Sequence, residues 1–332
     1  MDTNTILEIL SHNTQETIGL AELKERLESG LNLNLYWGTA PTRVPSLAYL
    51  VPLLKLRECI RTKRVNVTIF LADLHSFMDK GFDTVEKVKE RTDFYEFLLT
   101  HLMRLIGVRE DEYKIVRGSQ VQLTPEYMIN LLKFTTLVSV RDAQHAGTDV
   151  VKQNKHPQLS SLVYPLMQCL DEIALHTDIQ LGGTDQRKIF MLSRAFIPKL
   201  GVKKCVYLMN PLIPSLQKGS KMSSSDPKGK LEFTDTNEEI TQKIKKAYCV
   251  DKDVDLTTNP CLSIMKYIIF PIFGSITTYT SFELLETDWK NGTITSQELK
   301  KNLSEQINIL IQPIRDVLND EKGKRLFHLA YD

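Results

Sequence analysis

"LNLNLYWGTAP", residues 31–41, reads as a buried strand that runs into a turn marked by Gly38 and Pro41. A helix follows. Pro45 suits its first turn, Leu47, Leu50, Leu53 and Leu54 recur at helical spacing, and the basic RTKR closes it ahead of a second strand, VNVTIFLADLH (65–75). The same alternation then repeats. A helix near 84–106 leads to EYKIVRGSQ (112–120), and TDIQLGGTDQR (177–187) and KCVYLMNPLI (204–213) each read as a strand meeting a loop. Upstream, residues 5–29 look like one or two amphipathic helices. Strands alternating with helices imply a parallel sheet of the Rossmann type, whose ligand lies at the carboxyl ends of the strands. The ligand-facing loops are then 36–46, 71–77, 181–187 and 209–226. Residues 120–176 read as mostly helical, as in an insertion of about 120–160 between two halves of the sheet, and from about 234 the pattern is helical only. The expected organisation is an α/β domain, a Rossmann-type parallel sheet with a helical insertion, over 1–230, followed by an all-helical C-terminal domain over 231–332.

Composition narrows the function. With 332 residues, 42% hydrophobic and 25% charged, the chain can bury at least one substantial core, and its length suggests roughly two domains. A net charge of +1, from 42 basic against 41 acidic residues, argues against a protein that coats nucleic acid with its whole surface, so any polyanion must be met locally. The five cysteines, Cys59, Cys169, Cys205, Cys249 and Cys261, are scattered without a C-x-x-C pair, which indicates neither a disulfide framework nor a zinc site and favours a reducing compartment. The amino terminus is acidic and polar where a signal peptide would be basic then apolar, and no apolar run approaches the roughly eighteen residues of a membrane span. The expectation is a cytoplasmic protein with no membrane partner.

After the last strand comes QKGSKMSSSDPKGK (217–230), with four lysines, three consecutive serines and two glycines. Glycine permits close backbone approach, serine hydroxyls and backbone N–H groups donate hydrogen bonds, and lysine brings mobile positive charge, so the loop is suited to a phosphate. By composition alone it is as readily solvated surface. Its order, KMSSS, and its place after the final strand resemble the KMSKS loop of class I aminoacyl-tRNA synthetases, with Lys221 as the retained motif lysine and Ser224 at the position of the second. Four further segments, YWGTAPTRVPSLAY (36–49), LADLHSFMD (71–79), VYPLMQCLDE (163–172) and QLGGTDQRKIF (180–190), resemble in the same order the tyrosine-specific branch of archaeal and eukaryotic type. The similarity continues through VYLMNPLIPSL, IKKAYC and PIRDVL, so it covers nearly the whole chain.

Spacings of four and three put Tyr164, Gln168 and Asp171 on one helix face, which by itself is as compatible with a solvated stripe as with a pocket wall. The resemblance implies more. Tyr36 and Asp171 would hold the phenolic hydroxyl of tyrosine, and Tyr164, Gln168 and Gln186 its α-ammonium group, with His75 and Gln122 behind them. An acceptor facing that hydroxyl is what rejection of phenylalanine requires. Gly38, Thr39, Ser46, Gly183, Asp185 and Met222 fall on the ATP side, Asp185 toward the ribose hydroxyls, although a Gly-Gly turn with Asp185 as a helix cap is the plainer reading of that segment. The implied reaction is attack of the tyrosine carboxylate on the α-phosphate of ATP, then transfer of tyrosine to tRNA(Tyr). ATP enters as substrate with Mg²⁺, no tightly bound prosthetic group or protein-bound metal is needed, and Lys221, Ser223 and Ser224 steady the leaving pyrophosphate.

The family's HIGH-like signature is altered here to Thr42-Arg43-Val44-Pro45-Ser46, without its glycine and first histidine. Ser46 has shorter reach and no positive charge, and Arg43 could supply that charge. The alternative this raises is a synthetase relic that binds tyrosine or tRNA but adenylates poorly. A tryptophan-specific enzyme is disfavoured because Tyr36 and Asp171 suit a phenol and not an indole. In the C-terminal region the run Lys243, Lys245, Lys246 is a candidate for tRNA phosphates, and Trp289 and Glu298 for anticodon bases. The resemblance also implies a homodimer formed through the helical insertion.

Overall fold

The computed structural model describes residues 1–80, 84–150, 158–219, 222 and 226–332. Its described strands are β1 (Glu16–Ile18), β2 (Leu33–Thr39), β3 (Val65–Leu71), β4 (Tyr113–Arg117), β5 (Ile179–Gly183) and β6 (Val206–Asn210), in one sheet of order β1-β6-β5-β2-β3-β4. β2 is central because its apolar residues are buried on both faces: Leu33, Leu35, Tyr36, Trp37 and Thr39 are all enclosed. It pairs in parallel with β3 from Leu33 opposite Val65 to Thr39 opposite Leu71, and with β5 from Leu35 opposite Ile179 to Trp37 opposite Leu181. β5 and β6 continue the parallel order to Gly183 opposite Asn210. β4 pairs in parallel with β3 from Tyr113 opposite Val67 to Arg117 opposite Leu71, so the five parallel strands β2 to β6 end along one edge of the sheet, as an α/β fold of this type requires.

Three local readings change. β1 lies inside the stretch read as helix only, antiparallel to β6 with Glu16 opposite Met209, and three residues are too few to show a period of two. The strand EYKIVRGSQ stops at Arg117, and Gly118 opens a short helix to Gln122; a Cβ at Gly118 would come within 2.8 Å of Asp73 Oδ1. His75 sits in the helix Asp73–Lys80 and not on β3.

The core runs without interruption from the sheet into the C-terminal helices, with Ile69 and Leu99 in the same apolar cluster as Leu303, Ile307 and Trp289. Trp289 is 0% exposed and its indole N–H donates to Asp253 O at 2.7 Å, so no face is free to stack on a base and its anticodon assignment is withdrawn. Polar groups also cross between the two regions. Arg57 donates to Pro271 O at 2.7 Å. Within the first region, buried Lys55 donates to Ile9 O and His12 O, closing the end of the helix Thr3–Ser11. The helices between β4 and β5 carry a second apolar cluster around Tyr127, Phe134, Leu166 and Leu170.

The last helix, Glu321–Tyr331, lies along Val85–Leu105, where Phe94 meets Phe327 and Tyr331 edge-on at 5.6 and 5.4 Å. Phe94 is fully buried. Phe94→Ala is therefore expected to lower the unfolding free energy by about 3–5 kcal/mol, the range for deleting a buried aromatic ring, as read from the midpoint of urea unfolding.

Candidate functional site

A cavity of about 410 Å³ opens at the carboxyl ends of the parallel strands, where β2 and β5 lie side by side and the chain order reverses. β2 lines it with Tyr36, Gly38 and Thr39, β5 with Gln180, Gly182 and Gly183, and β6 with Asn210. The helix Leu159–Ala174 forms the facing wall with Tyr164, Gln168 and Asp171, and His75 enters from below. All four loops expected to face a ligand contribute to this one space.

Asp171 is the electrostatic centre of the deep end. It is 1% exposed, and its Oδ1 lies 2.8 Å from both Gln122 Nε2 and Tyr127 Oη. Among the described residues Oδ2 has no hydrogen bond, and His75 Nε2 lies 3.8 Å from it. Burial pushes the carboxyl up to about 7 and pushes the His75 imidazole down to about 4, so the pair does not persist as two full charges at neutral pH. Among the described residues the buried His75 Nε2 and Gln180 Oε1 have no hydrogen-bond partner. Tyr36 is enclosed, with its ring edge-on to Phe70 and its hydroxyl 3.5 Å from Gln168 O. Tyr164 packs edge-on to His75 at 4.6 Å. Gln168 Nε2 donates to Gln186 Oε1 at 3.1 Å, and Gln186 Nε2 to Asp185 Oδ1 at 3.3 Å, which joins three of the expected residues into one polar row.

At the other end the lining is Gly38, Thr39, Ala40, Thr42, Ser46, Gly183, Asp185 and Met222. Gly182 and Gly183 were expected to admit a nucleotide to the backbone. The structure adds a reason within the protein: a Cβ at Gly182 would stand 2.6 Å from Phe190 Cζ, and one at Gly183 2.7 Å from Asp185 Oδ1. Ser46 is buried and its backbone bridges to Glu232, while Leu47 N–H donates to Leu231 O at 2.8 Å, so the altered HIGH-like turn is stitched to the segment beyond the lysine loop. Arg43 is exposed and does not line the cavity; its carbonyl accepts from Tyr95 Oη, which lies outside the lining as well. Met222 is held by its N–H on Ile213 O at 2.7 Å. Lys221, Ser223 and Ser224 lie outside the described residues.

The C-terminal candidates separate. Lys243 is paired with Asp235 at 2.6 Å, whereas Lys245 and Lys246 are exposed. Glu298 is exposed, but its carboxylate accepts from Thr295 N–H and Oγ1 at 2.8 and 2.7 Å, which caps the helix Ser296–Leu318. Sequence reasoning missed Tyr127, Gln180 and Asn210. The last two carried a signal, each being a polar residue inside an otherwise apolar, buried strand. Tyr127 carried none, because its link to Asp171 spans 44 positions.

Comparison with known proteins adds a family. The model of class I tRNA synthetases (W and Y) matches residues 28–312. The cytoplasmic tyrosine–tRNA ligase of Saccharomyces cerevisiae is 39% identical over 97% of this chain and 86% of its own length. The cytoplasmic tyrosine–tRNA ligase of Gallus gallus is 37% identical over 98% of this chain, which spans only 63% of that longer protein. Among solved structures, tyrosyl-tRNA synthetase from Archaeoglobus fulgidus complexed with L-tyrosine superposes with a TM-score of 0.88 at 31% identity, covering 96% of this chain and all of its own.

The raised carboxyl of Asp171 makes stability depend on pH. A group whose folded value lies above its unfolded 3.8 contributes stability fully below about pH 4 and loses it as pH rises through about 7. Asp171→Asn removes that loss, while Glu172 and His75 are present in both proteins. The melting temperature of the variant minus that of the wild type is thus expected to increase from pH 5 to pH 8 in parallel scans; a flat difference contradicts a buried, desolvated carboxyl.

Proposed function

The chain belongs to the class I tRNA synthetases of the tryptophan and tyrosine type, and from that membership we infer that it is a tyrosine–tRNA ligase. The observation that carries the reading is the buried Asp171, whose Oδ2 is open to a donor at the closed end of a cavity whose other end is a row of strand-terminal glycines. A phenol seats its hydroxyl on Asp171 Oδ2 beside Tyr36. A carboxylate accepting that hydrogen bond is stabilised in its charged form, which offsets part of the desolvation. The α-ammonium group meets Gln168, Gln186 and the Tyr164 hydroxyl. The tyrosine carboxylate is then directed to the nucleotide end, where ATP lies along Gly38, Thr39, Ser46 and Gly183 with its ribose on Asp185.

Attack of that carboxylate on the α-phosphorus forms an acyl–phosphate bond and breaks the bond to pyrophosphate. No side chain supplies a nucleophile, so these residues act by positioning and by donors to phosphate oxygens. Lys221, Ser223 and Ser224 are proposed for the pyrophosphate side on their sequence motif. Mg²⁺ is proposed as a companion of the triphosphate, whose charge it would neutralise when bound. The second step transfers tyrosine to the terminal ribose of tRNA(Tyr), with Lys245 and Lys246 as phosphate contacts and Glu298 retained only as an exposed carboxylate near the start of its helix.

A homodimer through the insertion is supported by exposed apolar residues on its helices: Leu123, Met128, Ile129, Leu132, Val140 and Leu159, with Leu132 63% and Leu159 79% exposed. No described helix is long and apolar enough to cross a membrane. The cytoplasmic setting in the relatives' names is proposed for this chain also.

Tyrosine-dependent exchange of labelled pyrophosphate into ATP tests the reading, with phenylalanine and tryptophan as controls and Lys221→Ala as the blank. Exchange is expected with tyrosine only. Tyrosine binding without exchange would overturn it in favour of a tyrosine- or tRNA-binding protein. In the same assay Asp171→Asn is expected to reduce the tyrosine-over-phenylalanine ratio of kcat/KM by about 10- to 100-fold, the worth of a hydrogen bond to a charged acceptor. Leu132→Glu is expected to shift the sedimenting species from dimer to monomer, and a wild-type monomer at micromolar concentration would remove the dimer.

A further inference from the structure

Tyr95 does not line the cavity, yet a series of hydrogen bonds leads from its hydroxyl to one that does. It sits in the helix Val85–Leu105, 1% exposed, and its Oη donates to Arg43 O in the altered HIGH-like turn at 2.5 Å. The same Oη lies 3.4 Å from Tyr49 Oη, which in turn lies 2.9 Å from Thr39 Oγ1. Tyr49 and Thr39 both line the cavity, Thr39 as the last residue of β2. Edge-on ring contacts hold the phenols in place, Trp37 against Tyr49 at 5.9 Å and Tyr49 against Tyr95 at 6.1 Å.

The direction of these bonds follows from counting hydrogens. A phenol has one hydrogen and a carbonyl none, so the Tyr95 hydrogen is committed to Arg43 O. Burial pushes both phenols above their ordinary range, so each keeps its hydrogen at neutral pH. The bond between Tyr49 and Tyr95 then takes the Tyr49 hydrogen, and the bond between Thr39 and Tyr49 takes the hydrogen of Thr39. Donation runs from Thr39 Oγ1 to Tyr49 Oη, to Tyr95 Oη, to Arg43 O. Thr39 is left with lone pairs only for a ligand. A phosphate oxygen, itself an acceptor, is no partner for it, whereas a nucleoside hydroxyl or amino group is.

We propose that Tyr95 is a positioning residue for the nucleotide, acting through Tyr49 to hold Thr39 as the acceptor of a hydroxyl or amino hydrogen of the nucleoside. Its bond to Arg43 O at the same time braces the turn that lacks the family's glycine and first histidine. The inference rests on the ligase reading above. Tyr95→Phe keeps the ring against Tyr49 but frees the Tyr49 hydrogen, which turns to Thr39; Thr39 then points its own hydrogen at the cavity, where it opposes that of the nucleoside. The tyrosine end, with Asp171, Gln168 and Gln186, has no member in this series of bonds.

The test is pyrophosphate exchange with ATP and tyrosine varied in turn. Tyr95→Phe is expected to raise KM for ATP by about three- to tenfold, the range for one neutral hydrogen bond, with KM for tyrosine within about twofold of the wild type. Thr39→Val is expected to raise KM for ATP likewise, and in the Thr39→Val background Tyr95→Phe adds less than about twofold, because the two changes act on one contact. Should Tyr95→Phe fold poorly, Tyr49→Phe breaks the same series with both rings retained, and the same rise in KM for ATP alone is expected. An unchanged KM for ATP, an equal rise in both KM values, or effects of Tyr95→Phe and Thr39→Val that multiply would overturn the proposal. Wild-type exchange separates the two levels: without it the ligase reading fails and this inference with it, whereas wild-type exchange with an unchanged KM for ATP in the variants removes this inference alone.

Discussion

Everything at the site depends on the parallel pairing of β2 with β5. It is only three rungs long, from Leu35 opposite Ile179 to Trp37 opposite Leu181, yet it joins two halves of a sheet whose strands run outward in opposite chain order from this point. The connections leaving β2 and β5 diverge to either side, and the crevice between them is left to side chains from a third element. Tyr36 and Gln180 face each other across that seam as paired residues, and Gly38 and Gly182 follow on the same edge. Backbone pairing thereby fixes the floor before any polar group is placed.

The wall is held by a second buried carboxylate. Glu172 follows Asp171 in the helix Leu159–Ala174, and the turn of the helix sends the two side chains to different sides. Asp171 faces the cavity, while Glu172 accepts from Ser193 Oγ at 2.6 Å and Tyr207 Oη at 3.0 Å. Tyr207 belongs to β6, so Glu172 ties the helix to the sheet and so sets where Asp171 points. Burial pushes Glu172 up to about 7 as well. Two adjacent desolvated carboxyls cost the fold stability, and each is tolerated because donors on its own side surround it.

What the sequence made legible follows from distance along the chain. Strand β2, the helical spacing of Tyr164, Gln168 and Asp171, and the glycines after β5 are local patterns, and the structure brings their residues into one cavity. The contacts that assign employment are not local. Tyr127 reaches Asp171, Arg57 reaches Pro271, and Trp289 turns inward to Asp253, each through packing that no window of a dozen residues contains. Trp289 illustrates the asymmetry: an indole offers the same chemistry to a base and to a core, and only the enclosing residues decide. Glu298 was taken by a nearer competitor, the free amides of its own helix start. The altered HIGH-like turn lay between these cases, since Ser46 was visible as a departure but its bridge to Glu232 was not.

The double use of Asp171 Oδ1 has a consequence for how this pocket can diverge. Gln122 and Tyr127 both donate to that one oxygen, from the helices Gly118–Gln122 and Pro125–Thr135, which do not line the cavity. An apolar residue at position 171, as an indole or a phenyl ring would favour, removes the acceptor the two share and leaves Tyr127 Oη with Met167 O at 2.9 Å and Gln122 Nε2 with His75 Nδ1 at 3.3 Å, so two buried hydrogen bonds are lost at once. Changes at 122 and 127 are of little use while the carboxylate remains, because they leave it buried and unpaired. Amino-acid specificity is in this sense locked by epistasis: a change at position 171 is costly without matching changes at 122 and 127, and this pocket is held to its shape by the support of the acceptor as much as by the acceptor itself.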